Sequence, residues 1–457
     1  MSKTLLFNAL RCKETERPGW VPFVGVHGGF LINKKAEEYL RNSELIVQGL
    51  SKAIELYKPD GLPIVFDLQI EAEILGCELQ WYEETPPSVV SHPLQVDKWI
   101  EDLPEFDISK GRLPIIEKAC RILANAVGTD IALYGLVTGP FTLSAHLRGS
   151  ELFYDLLAEP NKVHELMEFS KCVGYKMIDF YLNSGCEVIA IVDPMTSQIS
   201  PEHFHDFVAP YLNFLFEKIK EAGALGSLFV CGDATKNLEV MCKTMCHQIS
   251  IDENIPLELA SRIAHSYGKS VGGNLKLTSV LLFGKPTDAK LDAIRCIDSA
   301  GTKGFVLSPG CDIPYAVPPE NLIAVAEMVH NSYQRQVARA TLSPSVEDTF
   351  DDIQIPDYSS QPFIQVDCIT LDSTACAPCL FTVDCALKAK ELCPDVEVVV
   401  VEHKIKSREG MGFMKKLGVK SIPAICIDGK IAFASTIPDA QSLAQIIQNE
   451  ARRKRNK

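Results

Sequence analysis

The chain has 457 residues, of which 46% are hydrophobic and 23% charged, a composition typical of a globular protein with at least two domains. Its net charge of −14 disfavours a binder of duplex nucleic acid, whose contact surface is normally basic. The sequence has neither the apolar run of a secretory signal nor the roughly 20 apolar residues of a membrane span. We therefore expect a cytoplasmic protein with no nucleic-acid or membrane partner, whose 16 cysteines are mostly kept reduced.

Short apolar runs alternate with helix-period segments up to about residue 340. This alternation predicts βα units and a parallel sheet. The length and the number of strands favour an α/β fold with a TIM (β/α)8 barrel over residues 1–340, and a doubly wound open sheet is the alternative. The predicted strands are 20–26, 131–136, 187–192, 227–230, 248–251, 270–272 and 304–308. The predicted helices are 151–157, 163–183, 200–222, 235–246, 287–300 and 319–333.

Residues 341–361 are acidic and carry Ser and Pro, which is typical of a linker. A second domain is predicted over 362–457. Its predicted strands are 363–371, 396–401 and 424–427, and its predicted helices are 380–392, 408–417 and one beginning at Pro438.

The pair Cys376 and Cys379 lies between the first strand and the first helix of the second domain. A thiol at a helix N-terminus has a lowered pKa and becomes nucleophilic, and a thiol one turn later can resolve a mixed disulfide. Together with Ser421-Ile422-Pro423-Ala424, this pattern resembles the thioredoxin family, which implies a cis proline at Pro423 packed against the cysteines. A docking module without redox chemistry is the alternative. A metal site is disfavoured because no second ligand pair accompanies the first.

Six segments of the body form a recognisable series when they are taken in chain order. They are VPFVGVHGG (21–29), FDLQIEAEILGC (66–77), PPSVV (86–90), TGPFTLSAHLRG (138–149), VCGDAT (230–235) and LSPGCDIP (307–314). This series resembles the uroporphyrinogen decarboxylase superfamily, and within it the corrinoid methyltransferases that act on methylcobamide and coenzyme M. The resemblance implies a TIM barrel and a methyl transfer between a corrinoid and a thiol.

The resemblance also implies a zinc ion that binds the substrate sulfur as a thiolate. Its family ligands are a His-x-Cys and a Cys in a Ser-Pro-Gly-Cys turn, and here Cys231 and Cys311 match the two cysteines. Phe229 stands where the histidine is expected, so this sequence has two of the three protein ligands of a usual catalytic zinc site. The candidates for a third ligand are Asp233, His27, His146, Glu71 and Glu73.

Asp193 follows a predicted strand and matches an Asp-Pro of the family, so we expect it to accept a hydrogen bond from substrate, with a turn or helix cap as the alternative. His146 and Glu71 are further candidate catalytic residues. The family has an acidic residue after its Gly-Asn, where this chain has Lys276. The sequence lacks the Asp-x-His-x-x-Gly corrinoid motif, which implies a separate corrinoid protein as partner. The acceptor is left open as coenzyme M, another small thiol or a pterin, and in the reverse direction a methylated small molecule would donate its methyl group to cobalt.

Two other functions compete with methyl transfer. Uroporphyrinogen decarboxylation needs arginines for a polycarboxylate substrate, and the arginine-containing segment of the decarboxylases is replaced here by Val26-His27-Gly28-Gly29. The second is a redox-responsive binding protein with a degenerate metal site. If no metal binds, Cys231 and Cys311 could be redox-active, with the C-terminal domain as their reductant.

Overall fold

The computed structural model of the chain describes residues 2–95, 98–343, 349–374 and 376–455. The chain divides into two compact units, residues 1–345 and residues 346–457. Within the described residues, no helix is both long and apolar enough to cross a membrane.

Eight parallel strands form the sheet of the first unit. They are β1 (Gly19–Trp20), β2 (Gly61–Pro63), β3 (Ala132–Thr138), β4 (Val188–Val192), β5 (Leu225–Val230), β6 (Gln248–Ile251), β7 (Ser270–Leu275) and β8 (Phe305–Pro309). They pair in the order β1-β8-β7-β6-β5-β4-β3-β2, so the two outermost strands are consecutive in the chain and the sheet is a nearly closed barrel. The prediction of a TIM barrel is confirmed. The alternative of a doubly wound sheet is wrong, because such a sheet grows in both directions from a central strand.

Helices follow most of these strands and complete the βα units. The α-helices are Ser2–Leu10, His27–Phe30, Ala36–Leu40, Ser43–Tyr57, Ile70–Ile74, Leu113–Val127, Pro140–Arg148, Glu151–Ala158, Pro160–Asn183, Pro201–His203, Ala209–Glu221, Leu238–Cys242, Leu257–Ser266, Pro286–Ala300, Pro319–His330 and Ser332–Thr341. Short 3-10 turns cover Ile100–Asp102, Pro194–Gln198 and Thr235–Asn237, and π-helical turns cover Phe204–Val208 and Leu277–Leu282. An antiparallel hairpin joins Leu79–Gln80 and Ser88–Val89.

One predicted strand is shorter in the barrel than expected, and one observed strand was not predicted. The first was expected over 20–26, but its ladder covers only Gly19–Trp20. The strand β2 was not predicted, because it has three residues and ends in Pro63, which has no N–H to donate.

The second unit contains a four-stranded mixed sheet. Its strands are β9 (Ile364–Thr370), β10 (Val398–Lys404), β11 (Ala424–Ile427) and β12 (Lys430–Ala434), in the order β10-β9-β11-β12. The pair β9–β10 is parallel, and the pairs β9–β11 and β11–β12 are antiparallel. Three helices complete this unit: Ala377–Glu391, Arg408–Lys416 and Ala440–Arg455.

Alternation along β9 explains why helices lie on both faces of this sheet. Ile364 and Val366 pack in a cluster with Ala386 and Leu443, which come from the first and last helices. Ile369 faces the other way, into a smaller cluster reached from the helix Arg408–Lys416. Successive side chains of a strand point to opposite faces, so one strand supplies both cores.

Part of the stretch predicted as a linker packs within the second unit. Phe350 and Ile353 form a buried cluster with Phe413 of the helix Arg408–Lys416. The first residue of the predicted linker, Thr341, still belongs to the preceding helix. Residues 344–348 of that prediction lie outside the described residues.

Candidate active site at the carboxyl ends of the barrel strands

Cys231 directly follows β5, and Cys311 lies two residues after the end of β8. Their Sγ atoms are 2.7 Å apart, although the residues are 80 positions apart in sequence. Both side chains are half-buried and pack against the apolar cluster inside the barrel. The fold therefore brings together the two thiols that the sequence suggested, at the end of the barrel where active sites of this fold lie.

The apolar cluster against which the thiols pack includes the aromatic rings of Phe23, Phe66 and Phe229. Phe229 is 1% exposed, and its ring centroid lies 5.0 Å from that of Phe23 and 5.9 Å from that of Phe66. The side chain at the position of the expected histidine thus packs in the barrel core and offers no metal donor.

Carboxylates surround the thiol pair. Asp252, just after β6, accepts hydrogen bonds from the backbone N–H of Gly232 at 2.9 Å and of Asn254 at 2.9 Å. Gly232 adopts a φ of +89°, a conformation that glycine accepts readily, and so Asp252 fixes the turn that carries Cys231. Asp312 directly follows Cys311 in sequence, and its carboxyl lies so close to Gly25 that a Cβ at Gly25 would overlap it.

These neighbours raise proton affinities in the site. The pKa of Cys231 is well above its ordinary value because of the hydrogen bond with Cys311, burial, and the negative charges of Asp252 and Asp312. Burial, with a contribution from the charge of Asp252, raises the pKa of Glu253 to about 8. The negative charges near the thiols therefore favour the protonated forms of Cys231 and Glu253 at neutral pH.

The two histidines that the sequence offered as a third metal ligand differ in whether a ring nitrogen is free, and neither forms part of a group of three metal ligands among the described residues. His27 is fully buried, with Nδ1 2.8 Å from the carbonyl oxygen of Tyr315 and Nε2 2.7 Å from the hydroxyl of Tyr57. Burial lowers its pKa to about 4. His146, on the helix Pro140–Arg148, is 3% exposed, and burial together with the charge of His92 lowers its pKa to about 3. Its Nε2 atom has no hydrogen-bond partner among the described residues.

Each acidic candidate for the third metal ligand already accepts hydrogen bonds from other residues of the barrel unit. Glu71 accepts hydrogen bonds from the backbone N–H and the hydroxyl of Thr138, at 2.9 and 2.7 Å, and burial raises its pKa. Glu73 accepts a hydrogen bond from Nε of Arg112 at 2.8 Å. Asp233 accepts hydrogen bonds from the backbone N–H and the hydroxyl of Thr235, at 3.1 and 2.6 Å.

The donor set does not fit a catalytic zinc site with three protein ligands. Across residues 2–95, 98–343, 349–374 and 376–455, no group of three or more His, Cys, Asp or Glu side chains could hold a metal ion. Two thiols are present and Phe229 occupies the position of the missing ligand. Zinc therefore stays a prediction of the sequence for which no described residue supplies the third bond.

Asp193 lies at the end of β4, as the sequence indicated, and is fully buried. Its carboxylate accepts hydrogen bonds from the backbone N–H groups of Phe141 and Thr142 at 3.2 and 2.8 Å, and from the Thr142 hydroxyl at 2.6 Å. It thus binds the N-terminus of the helix Pro140–Arg148, where a negative charge is favourable. A role toward substrate stays a prediction.

Lys276 follows β7, and its backbone N–H donates to the carboxylate of Asp292 at 2.9 Å. Its side chain is exposed. The residue that departs from the family pattern therefore offers a cation at the protein surface after β7.

In the second unit Cys376 and Cys379 are joined by a disulfide. Cys376 is the N-cap residue of the helix Ala377–Glu391 and is half-buried, whereas Cys379 is fully buried. The Ile422–Pro423 peptide bond is cis, and Pro423 immediately precedes β11.

Sequence reasoning did not select Asp252, Glu253 or Asp312. A signal was available for the first two, because they follow the predicted strand 248–251 directly, as Asp193 follows its own strand. Asp312 follows Cys311 in a turn, and its approach to Gly25 depends on a long-range contact that no local pattern reveals.

Comparisons with known proteins place the barrel among two enzyme groups. The family model for uroporphyrinogen decarboxylase (URO-D) matches residues 1–332. Over 275 residues the chain is 28% identical to the methylcobamide:CoM methyltransferase MtbA of Methanosarcina acetivorans, covering 60% of this chain and 80% of that protein. Over 306 residues it is 27% identical to a uroporphyrinogen decarboxylase of Anaeromyxobacter dehalogenans, covering 64% and 86%. The solved structure of a methyltransferase from Methanosarcina mazei, 22% identical, superposes with a TM-score of 0.67 over 73% of this chain and 99% of that one, which supports the barrel fold.

Proposed function

The chain belongs to the uroporphyrinogen decarboxylase family, and on that basis we propose that its barrel moves a methyl group between a corrinoid on a partner protein and a small thiol or related acceptor. The observation that carries this proposal is the convergence of Cys231 and Cys311, with Sγ atoms 2.7 Å apart at the carboxyl end of the barrel. The similarity to a methylcobamide:CoM methyltransferase supports it.

The reaction class accounts for a site built around sulfur. A methyl group leaves cobalt without its bonding electrons, so the acceptor must supply an electron pair, and a thiolate sulfur does so readily. In the reverse direction, a methylated molecule supplies the methyl group to the reduced corrinoid. No step is assigned to zinc, because the two thiols lack a third protein ligand.

Decarboxylation of uroporphyrinogen is the second enzymatic candidate, since relatives with that activity are 27% identical. The charges around the thiols oppose it. Asp252 and Asp312 add negative charge beside Cys231, and a substrate with several carboxylates would be repelled there. Methyl transfer needs no such polyanion.

The second unit is proposed to be a thioredoxin-like redox module. Its elements follow the order strand, helix, strand, helix, strand, strand, helix, with the cysteine pair at the start of the first helix. The cis proline before β11 and the disulfide between Cys376 and Cys379 support this assignment.

The test is a methyl-transfer assay with methylcobalamin and a panel of thiols, which follows the loss of the methylcobalamin absorbance. We expect Cys231→Ser and Cys311→Ser each to lower the rate by roughly tenfold or more, since both remove sulfur from the site. Cys172→Ser is the matched control, because this thiol is exposed on the helix Pro160–Asn183. Metal analysis of the same preparations measures zinc directly.

Full activity in either serine variant would contradict the assigned site. Absence of transfer to every thiol tested, together with absence of zinc, would instead favour a redox-responsive binding protein. Turnover of uroporphyrinogen by the wild-type chain would favour the decarboxylase.

A further inference from the structure

We propose that the interior of the barrel binds one ordered water molecule, held by the hydroxyl of Tyr134, the side-chain amide nitrogen of Gln248 and the hydroxyl of Ser308. All three residues belong to the first unit, and the site lies apart from the thiol pair, since neither Cys231 nor Cys311 lines it. The inference therefore stands independently of methyl transfer.

Polar side chains line one side of the barrel interior. On β5, Leu225 and Phe229 belong to the apolar cluster inside the barrel, and Ser227 faces the same way, because alternate side chains of a strand share a face. Gln248 of β6 and Ser308 of β8 are interior as well, and these three polar residues are at most 2% exposed. Burial without a hydrogen bond is costly for an amide or a hydroxyl, so each of them needs a partner within the barrel.

The amide of Gln248 is satisfied at its oxygen and not at its nitrogen. Its Oε1 atom accepts hydrogen bonds from the hydroxyls of Ser227 and Ser250, at 3.0 and 3.3 Å. Its Nε2 atom carries two protons that can be donated, and it has no hydrogen-bond partner among the described residues. A donor group is thus left over inside the barrel.

Two buried hydroxyls share this condition. Neither that of Tyr134 on β3 nor that of Ser308 on β8 has a hydrogen-bond partner within the part of the chain that the structure describes. In folded proteins the large majority of buried polar side-chain atoms have a partner, which is either protein or ordered water. Tyr134, Gln248 and Ser308 line the same cavity, so a single occupant can serve all three.

The size of this cavity suits a water molecule. The volume open to a molecule of that size is about 10 Å³, close to the minimum that one buried water needs. Apolar side chains, among them those of Phe23 and Phe229, form most of the remaining wall. A single water molecule fits in this space, whereas a substrate or an organic cofactor is too large for it.

The chemistry of the cavity favours water over an ion. Every lining residue that the structure describes is uncharged, and an ion buried without an opposite charge loses its hydration without compensation. Water also matches the three groups in donors and acceptors. It accepts a hydrogen bond from Nε2 of Gln248 and donates its two protons to the oxygens of Tyr134 and Ser308. About three hydrogen bonds are typical of a buried water.

The first experiment compares two tyrosine-to-phenylalanine variants of the full-length chain by scanning calorimetry. In Tyr134→Phe the water loses a partner, so we expect the midpoint of barrel unfolding to fall by roughly 2 °C. Tyr181→Phe is the matched control. Its hydroxyl is also buried and without a hydrogen-bond partner among the described residues, but Tyr181 does not line the cavity. Removal of that hydroxyl should leave the midpoint unchanged or raise it, because an unsatisfied polar group is lost.

The second experiment locates the water directly. A crystal structure of the full-length chain, at a resolution that shows ordered water elsewhere in the protein, should contain a peak of electron density in the cavity. Its distances to Oη of Tyr134, Nε2 of Gln248 and Oγ of Ser308 should each be about 2.7–3.2 Å. In the double variant Tyr134→Phe, Ser308→Ala the peak should weaken or vanish, because only the amide remains to hold the water.

Equal shifts of the midpoint in Tyr134→Phe and Tyr181→Phe would overturn the proposal. A wild-type cavity without density would overturn it as well, as would a rearrangement in which the three groups bond directly to one another. These readouts require no corrinoid. Failure of the water site would therefore leave the proposed methyl transfer untouched, and failure of methyl transfer would leave the water site in place.

Discussion

The side chain of Asp193 links two consecutive βα units of the barrel. Its carboxylate, at the end of β4, accepts three hydrogen bonds from Phe141 and Thr142, at the start of the helix that follows β3. Gly139 permits this approach, because a Cβ there would overlap the Asp193 carboxyl. Burial outweighs these hydrogen bonds and raises the pKa of Asp193 from 3.8 to about 6.

The raised pKa of Asp193 predicts the direction in which the free energy of unfolding changes with pH. A carboxyl with a raised pKa in the folded state contributes stability that is fully present below its unfolded pKa and is lost as pH rises through the folded pKa. Between about pH 3 and pH 7, the contribution of Asp193 to the free energy of unfolding should fall by about 3 kcal/mol, most of it between about pH 4 and pH 6. Asp193→Asn cannot titrate, so the stability of wild type minus that of the variant should fall over this range, as measured by urea unfolding.

Asp107→Asn serves as a control of opposite sign. Asp107 is partly exposed, and hydrogen bonds from Ser109 lower its pKa, so the contribution of Asp107 to the free energy of unfolding should increase as pH rises. A difference between wild type and Asp193→Asn that is flat with pH would contradict the prediction, because it would show that the pKa of Asp193 is the same in the folded and unfolded states.

At the scale of single residues, the sequence identified candidate site residues where a reactive residue type falls in a family motif. Cys231 and Cys311 could be selected because each ends a recognisable motif. The destination of Phe229 in an aromatic cluster could not be predicted, since Phe23 and Phe66 belong to distant segments. The two hydrogen bonds of His27 were equally hidden, because its partners Tyr57 and Tyr315 lie 30 and 288 positions away.

At the scale of elements, a close contact between two helices predicts that a glycine-to-alanine substitution in a helix destabilises the protein. The helix Ser43–Tyr57 packs against the helix His27–Phe30 through Gly49, where a Cβ would overlap the carbonyl oxygen of Gly28. Glycine to alanine in a helix interior normally stabilises by roughly 0.5–1 kcal/mol. Here we expect Gly49→Ala to destabilise by about 1–3 kcal/mol, because the backbone of Gly28 cannot move aside as a side chain does.

The matched control is Gly174→Ala in the helix Pro160–Asn183. Its added Cβ would lie 3.1 Å from the Leu215 side chain, which can shift slightly. Urea unfolding should show a smaller cost at Gly174 than at Gly49. Equal effects at both positions would mean that the helices Ser43–Tyr57 and His27–Phe30 separate easily.

The long elements of the barrel could be predicted because their periodicity is strong, and the short ones could not. The observed strands β4, β5, β6 and β8 lie within two residues of their predicted positions at either end. The strand β2 is held in place by its pairing with β3, a tertiary contact that three residues of sequence do not encode.

At the scale of the whole molecule, the change in composition near residue 341 predicted that the chain has two parts. The structure divides at residue 345, and each unit has its own apolar clusters. The packing of Phe350 and Ile353 was missed because the acidic, Ser-bearing context around them is typical of linkers.

Separate cores predict two calorimetric transitions, of which only one responds to reductant. The Cys376–Cys379 disulfide closes a loop with a sequence separation of 3, and such a short loop contributes about 2 kcal/mol in the chain-entropy model. For a unit of this size, that loss lowers the midpoint by roughly 10 °C. Scanning calorimetry with and without a phosphine reductant should therefore shift the smaller transition and leave the barrel's transition in place. The double variant Cys376→Ser, Cys379→Ser should melt like the reduced protein and be insensitive to reductant. A single transition, or a shift of the larger one, would instead show that the two units unfold as one cooperative body.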